Sequence, residues 1–126
     1  MNGPDTVVDV LVVGSGGAGM SAALSARAAG ASVLIATKSA LGASNTGRAQ
    51  GGIQAAVGAD DSIESHFEDT FAAGHRDGDV DLVRTLTGGG PDAIAWLAEL
   101  GVPFSRDDGD LRILRCGGAS RPRLLQ

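Results

Sequence analysis

A short apolar run, Val10-Leu11-Val12-Val13, passes directly into Gly14-Ser15-Gly16-Gly17-Ala18-Gly19, and the spacing Gly14-x-Gly16-x-x-Gly19 constrains this chain more than any other feature. Each glycine answers a different steric demand. Gly14 permits a tight turn off a strand, Gly16 leaves no side chain where a phosphate must approach the backbone, and Gly19 lets the following helix pack close to the sheet. Glycine fills 20 of the 126 positions, so a chance match is not rare and the flanks must decide. A β-prone run precedes the glycines and an alanine-rich run, residues 20–29, follows them. That order places the pyrophosphate of a dinucleotide on a helix N-terminus, where unpaired N–H groups and the helix dipole favour negative charge. The alternative is a glycine-rich turn joining a strand to a helix, with no ligand.

From this junction the pattern extends as a βαβ unit. Residues 7–13 form the expected first strand, residues 17–29 a helix that stops at Gly30, a suitable C′ glycine, and residues 32–36 a second buried strand. A strand-to-strand span of about thirty residues suits a right-handed crossover in a parallel sheet. The expected class is therefore α/β, a Rossmann-like dinucleotide-binding parallel sheet with additional helical segments. Many such units end the second strand on an acidic residue that grips ribose hydroxyls. Here the position holds Thr37, followed by Lys38. A hydroxyl still hydrogen-bonds a ribose, but without the carboxylate a free, exchangeable NAD is a poorer fit. Residues 39–52, SALGASNTGRAQGG, lack apolar periodicity and are crowded with small residues that supply N–H groups and short polar side chains without bulk. They follow the end of the second strand, where α/β sheets bind ligands, and are expected to lie along a flat ligand; an ordinary surface loop is the alternative.

Composition narrows the partners. A chain with 43% hydrophobic and 20% charged residues has the balance of a soluble globular domain, and no apolar run reaches membrane-spanning length. Residues 7–13 are too short for a secretory core and are flanked by Asp5 and Asp9 rather than by positive charge, so a cytoplasmic location without direct membrane insertion is expected. The net charge of −5 argues against a nucleic-acid surface. Cys116 is the single cysteine, which excludes an internal disulfide; with no neighbouring His or second thiol it reads as inert, although Arg115 adjoins it.

The remaining sequence reads as scaffold. Asp61-x-x-Glu64 resembles a capping box, and Ile63, Phe67, Thr70 and Phe71 fall at helical spacing, so residues 62–73 are expected to form a helix with His66 on its outer surface. Residues 79–87 form a second expected helix, interrupted at Gly88-Gly89-Gly90. Pro91 then opens a third, with Ile94, Leu97 and Ala98 as its apolar face, Trp96 as a core or interdomain plug and Gly101 as its stop. Asp107-Asp108-Gly109-Asp110 lacks the later ligands of a calcium loop and reads as a turn before a strand at residues 111–114. His75, Arg76, Asp77, Asp79 and Asp81 read as a solvated loop and helix start, where carboxylates favour the dipole, rather than as a metal cluster. The four arginines from Arg112 to Arg123 read as exposed charge.

The blocks VVGSGGAGMSAALSARAAG, SNTGRAQGGI, HFEDTFAAG, GDVDLV, GPDAIAWLAELGVPFSR and CGG occur in that order. Together they resemble the N-terminal part of the flavoprotein subunits of succinate dehydrogenase and fumarate reductase, a family to which L-aspartate oxidase is closely related. The resemblance covers essentially the whole chain and implies that residues 1–126 are the N-terminal part of an FAD/NAD(P)-type binding domain, with substrate-capping and C-terminal regions absent. On that basis the sheet is expected to be incomplete, with an open edge, uncovered apolar surface and low stability in isolation.

The resemblance also implies FAD in an extended pose. Gly14, Ser15, Gly16, Gly17, Ala18 and Gly19 would cradle the pyrophosphate, Thr37 and Lys38 would lie near the adenosine half, and Ser44, Asn45, Thr46, Ala49, Gln50, Gly51 and Gly52 would run beside the isoalloxazine ring. Membrane-bound members carry a histidine in the triplet matching Ser44-Asn45-Thr46, and it links covalently to the flavin. Asn45 cannot form that bond, so the expected FAD is non-covalent; the missing link tilts the reading toward fumarate reduction or amino-acid oxidation. Family chemistry is hydride transfer between flavin and a small C4 dicarboxylate, and the family's catalytic arginine and carboxylate-binding groups have no matching position within residues 1–126. An iron–sulfur or other electron-transfer subunit is an implied partner, one that would hold the protein peripheral to a membrane. Aspartate oxidases carry a glutamate before the glycine pair matching Gly117-Gly118, where this chain has Cys116. Three readings remain: a fumarate- or succinate-type oxidoreductase, an L-aspartate oxidase, and a dinucleotide-binding module without catalysis.

Overall fold

The computed structural model describes residues 7–126, so Asp5 lies outside the described residues. The chain divides into two compact units, residues 1–50 and residues 51–126. The class is α/β.

In the first unit, β1 (Val10–Val13) pairs in parallel with β2 (Val33–Ala36), Val10 opposite Val33 and Val13 opposite Ala36. The helix between them, α1 (Gly17–Ala28), covers one face of the pair. Strand pairing starts at Val10, three residues later than the expected strand. Ahead of it Asp9 ties the two strand ends together, its carboxylate accepting from Ser32 N at 2.8 Å and from Ser32 Oγ at 2.6 Å. These bonds hold the Asp9 carboxyl below the usual range. Alternation decides the faces: Val12 is buried, whereas Leu11, Val13 and Leu34 point away from α1 and stay exposed, Val13 at 81%. α1 ends as expected. Gly30 takes φ +90°, its N–H donates to Arg27 O, and Ala31 N donates to Ala26 O, the paired bonds of a Schellman stop. Within the segment expected to be irregular, a four-residue helix, α2 (Asn45–Arg48), is capped by Ser44 Oγ accepting from Gly47 N at 3.2 Å.

The second unit is built from helices and short antiparallel strands. Its strands β3 (Ile53–Gln54), β6 (Ile113–Leu114) and β7 (Leu124–Leu125) form one sheet with β7 central, Leu125 opposite both Ile53 and Ile113. β4 (Arg106–Asp107) and β5 (Asp110–Leu111) form a hairpin whose two loop residues, Asp108 and Gly109, take φ +51° and +97°; the acidic run is the expected turn. The strand expected over residues 111–114 is split between β5 and β6. Three helices separate β3 from the hairpin: α3 (Ile63–Ala73), α4 (Val80–Gly88) and α5 (Gly90–Glu99). α4 and α5 are separated by the single residue Gly89, and a Cβ on Gly90 would meet that of Ala55 at 3.3 Å.

Ala55, Ile94 and Leu125 form the core of this unit, with Val57, Phe104 and Leu111 packed against it. Enclosing Ile94 and Leu125 is worth about 1.5–3 kcal/mol each. Trp96 is half-buried, and Ala98 is exposed rather than part of the apolar face. α3 and α4 are joined by Phe67, which stacks on Phe71 at 5.6 Å and carries the Arg84 guanidinium 4.0 Å above its ring. Arg84 also reaches Glu64 at 3.1 Å. Asp79 caps α4, its Oδ1 accepting from Asp81 N and Leu82 N at 3.0 Å each.

Three sequence expectations are corrected here. Ser62, not Asp61, caps α3, accepting from Ser65 N at 3.1 Å, so the box of Asp61 and Glu64 does not form. Asp61 is turned to another use. His66 is buried at 6% exposure, on the side of α3 that faces the charges of Arg123, Asp61 and Asp69 rather than on the outer surface. Arg123 is 0% exposed, whereas Arg112, Arg115 and Arg121 are exposed as expected.

The Arg123 guanidinium makes four hydrogen bonds and one further ion pair. Nε and Nη2 bind the Asp61 carboxylate at 2.9 and 2.8 Å, and Nη1 meets Asp69 Oδ2 at 2.9 Å. Ser65 Oγ takes a further Nη2 bond at 3.1 Å and the Ser65 carbonyl an Nη1 bond at 3.5 Å. Asp69 Oδ2 also accepts from Ser120 N at 2.7 Å and Ser120 Oγ at 2.8 Å, which joins α3 to the segment leading into β7. Burial pushes the Asp69 carboxyl up, but these hydrogen bonds and the Arg123 charge outweigh it and hold the group below its ordinary value.

Candidate functional site

The glycine loop behaves as the spacing requires. Gly14 takes φ +108°, turning the chain off β1, and donates its N–H to Ala36 O at 2.8 Å. A Cβ on Gly19 would run into the Gly14 carbonyl oxygen, so the absence of a side chain there is what lets α1 start against the end of β1. Gly16 differs from both. A Cβ there would meet only Thr46 Oγ1, at an ordinary 3.8 Å, so packing inside the chain does not require glycine at this position. A ligand that must touch the backbone does.

Two adjoining clefts lie over this loop within the first unit. One, of about 290 Å³, is lined by Gly14, Ser15, Thr37, Lys38 and Ser44 together with Val13, Ala36, Ser39 and Ala43. The other, of about 240 Å³, is lined by Ser15, Gly16, Gly17, Ser44 and Thr46 with Met20, Gly42 and Gly47. Residues from the glycine loop, the end of β2 and the 44–46 segment, separated in sequence, therefore share one concave surface. Ser15 Oγ and Thr37 Oγ1 lie 3.2 Å apart in hydrogen-bonding contact, and Ser39 N donates to Thr37 Oγ1 at 3.4 Å. The hydroxyl that replaces the expected carboxylate thus also joins the glycine loop to the strand end.

Seen from this surface, the helix N-terminus is only partly satisfied. Gly16 is the N-cap of α1 and offers no side chain. Gly17 N donates to Thr46 Oγ1 at 2.9 Å, while Ala18 and Gly19, next in the first turn, have no acceptor within the helix. Lys38 adds an exposed cation beside the opening. The donor set fits the pyrophosphate of a dinucleotide: free amides, a close-approach glycine, a hydroxyl and a lysine.

Asn45, Ala49 and Gln50 are exposed in the same unit but line neither cleft. Gly51 and Gly52 open the second unit with φ +125° and +132°. Gly52 has a structural reason of its own, since a Cβ there would run into the Leu125 carbonyl where β3 meets β7. The bond between Gly17 and Thr46 was not foreseen, although Gly17, a fourth glycine outside the motif spacing, was its visible sign.

Residues 9–126 match the FAD binding domain family. The chain belongs to that family. Its cofactor is FAD. An L-aspartate oxidase from Streptomyces coelicolor is 44% identical over 117 residues, covering 92% of this chain and 20% of that protein. Mycobacterium smegmatis Sdh1 in complex with UQ1 superposes with a TM-score of 0.87 at 36% identity, over 93% of this chain and 20% of the other. E. coli quinol fumarate reductase gives 0.87 at 35%, over 94% and 21%. The chain thus spans about a fifth of the length of these FAD-family relatives. Among the described residues no helix is long and apolar enough to cross a membrane.

Proposed function

We propose that the protein carrying this chain is an FAD-dependent oxidoreductase that moves a hydride between the flavin and a C4 dicarboxylate, interconverting fumarate and succinate. One observation carries this reading: the glycine loop, the β2 end and the 44–46 segment converge on the N-terminus of α1 in a fold shared with M. smegmatis Sdh1 and E. coli quinol fumarate reductase. When bound, FAD supplies the two-electron chemistry. This chain's part is to hold it. Gly14, Ser15, Gly16, Gly17, Ala18 and Gly19 take the pyrophosphate, Thr37 and Lys38 the adenosine half, and Ser44, Asn45, Thr46, Ala49 and Gln50 flank the flavin half. Asn45, having no imidazole, leaves the flavin non-covalent. The proposed partners are the dicarboxylate and an electron-transfer subunit or quinone, with the protein on the cytoplasmic side.

A second reading, oxidation of L-aspartate, is favoured by the higher identity to the S. coelicolor oxidase and by the 40% identity to the Acinetobacter baylyi enzyme of the same name. One experiment on the protein carrying this chain separates them. Acid precipitation is expected to release yellow flavin into the supernatant; flavin retained in the pellet would contradict non-covalent binding. Fumarate is then expected to reoxidise the anaerobically reduced flavin. Bleaching by aspartate without any response to fumarate or succinate would decide for the oxidase.

A further inference from the structure

His66 is 6% exposed, and among the described residues its Nδ1 has no hydrogen-bond partner. A neutral imidazole carries one N–H, whereas the imidazolium carries two, and a buried charged donor left unmatched is costly. The charges that act on His66 come from Asp61 ahead of α3, Asp69 on α3 and Arg123 ahead of β7. On α4, which packs against α3, Arg84 is turned to Phe67 and Glu64; Arg115 and Arg121 are exposed. Because Arg123 is wholly enclosed, a charged His66 sets a second cation beside one already out of water.

The same residues tie the 117–123 segment to α3. Asp69 Oδ2 accepts from Ser120 N and Oγ, Ser65 Oγ lies 3.3 Å from Ser120 Oγ, and Arg123 reaches Asp61, Ser65 and Asp69. Each of these bonds has a side chain at one end or both. β7, just beyond, is instead held by strand pairing to β3 and β6. At the other end Gly117 and Gly118, the latter at φ +83°, give the segment a pivot. Together with Gln54, Asp69, Thr70 and Arg123 it walls a cavity of about 160 Å³.

We propose that His66 operates a proton-driven latch: when it takes up a proton from solvent, residues 117–122 swing off α3 and the cavity they wall widens, while β7 stays in its sheet. Burial and the Arg123 charge hold the imidazole below its ordinary 6.5. The latch is therefore closed at neutral pH and above, and it opens more readily as pH falls below 6.5. Asp69, held below 3.8, stays charged through that window.

The test reads amide exchange in the protein carrying this chain, each rate taken relative to its unstructured value at the same pH. Two reporters matter: Ser120 N, which donates to Asp69, and Ala55 N, which donates to Arg123 O in the sheet. Ser120 is expected to be less protected than Ala55 and to lose protection below pH 6.5 by up to about tenfold per pH unit, the slope of one proton. Its exchange is expected to respond little to low urea, the mark of an opening that exposes little surface. His66→Gln is expected to flatten the Ser120 profile, whereas His75→Gln, at the other histidine of the chain, leaves it unchanged. Ser120→Ala, which keeps the histidine, loosens the latch and is expected to move the His66 titration, followed by NMR, up toward 6.5. That reciprocal shift decides the matter where His66→Gln does not fold. A flat Ser120 profile in the unaltered protein, or one that persists in His66→Gln, would overturn the proposal. So would Ser120 protection equal to that of Ala55, since exchange through unfolding of the whole unit needs no latch.

Discussion

In residues 7–50 the decisive contacts depend on side chains that are missing, whereas in residues 51–126 they depend on one side chain that is wholly enclosed. The first unit closes because Gly19 lets α1 approach the Gly14 carbonyl and Gly17 leaves space for Thr46. The second is fastened by Arg123, whose guanidinium is hydrogen-bonded to Asp61 and Ser65 and ion-paired with Asp69. On the proposed function the first region holds a phosphate and the second is scaffold, and the difference follows from that. A phosphate site needs bare backbone and open donors, so side chains are removed from it. A buried cation in a scaffold needs every donor matched, because an unmatched one leaves a desolvation penalty uncompensated.

The largest effect that sharpens this comparison is expected at Arg123. Arg123→Leu leaves two carboxylates without their cation, Asp61 being 2% exposed, and is expected to lower stability by about 3–5 kcal/mol, read from urea unfolding of the protein carrying this chain. A cost under 1 kcal/mol would make the ion cluster ornamental and break the contrast. Next comes Gly19→Ala, which drives a methyl into the Gly14 carbonyl; a loss of about 1–3 kcal/mol is expected, together with lost FAD binding in a titration. FAD affinity within twofold of the unaltered protein would show that the loop does not depend on that close approach.

The smallest effect is a slope with pH. Burial, and then the Arg123 charge, hold the His66 imidazole below its ordinary 6.5, against the upward pull of Asp61 and Asp69. A histidine that folds neutral leaves the unfolded chain binding the extra proton, so its contribution is complete above pH 6.5 and is lost as pH falls toward the folded value. Asp69, lowered in the fold from 3.8, keeps its contribution above that value and loses it only in stronger acid. His66→Gln is therefore expected to flatten the decline in urea midpoint between neutral and mildly acid pH while leaving the strong-acid loss in place. An unchanged slope would assign the mild-acid sensitivity elsewhere.

How far each region could be read from sequence follows the same division. Gly14, Gly19, Gly30 and Gly101 act on neighbours close along the chain, and the turn at Asp108-Gly109 is written in two adjacent residues; all were legible. Gly101, at φ +89°, closes α5 with the same paired bonds that close α1. Arg123 and Asp61 are 62 residues apart, and no local pattern marks which of four arginines turns inward. For His66 a sign did exist: Thr70, counted on the apolar face, sits one helical turn away and donates its hydroxyl to the His66 carbonyl at 2.7 Å. The reading of Asp61 as a cap failed because Ser62, one residue later, holds the cap position while the Asp61 carboxylate is bound to Arg123.

The arginine cluster also bears on how this sequence can drift. Because Asp61, Asp69 and Arg123 share one set of hydrogen bonds, their substitutions are not independent events. A chain that has lost Arg123 leaves Asp61 and Asp69 without their cation, and a chain that has lost Asp61 strands the arginine. The three positions are thus expected to change together or not at all, so the scaffold's history is carried by a linked trio while the exposed arginines beside it are free to vary singly.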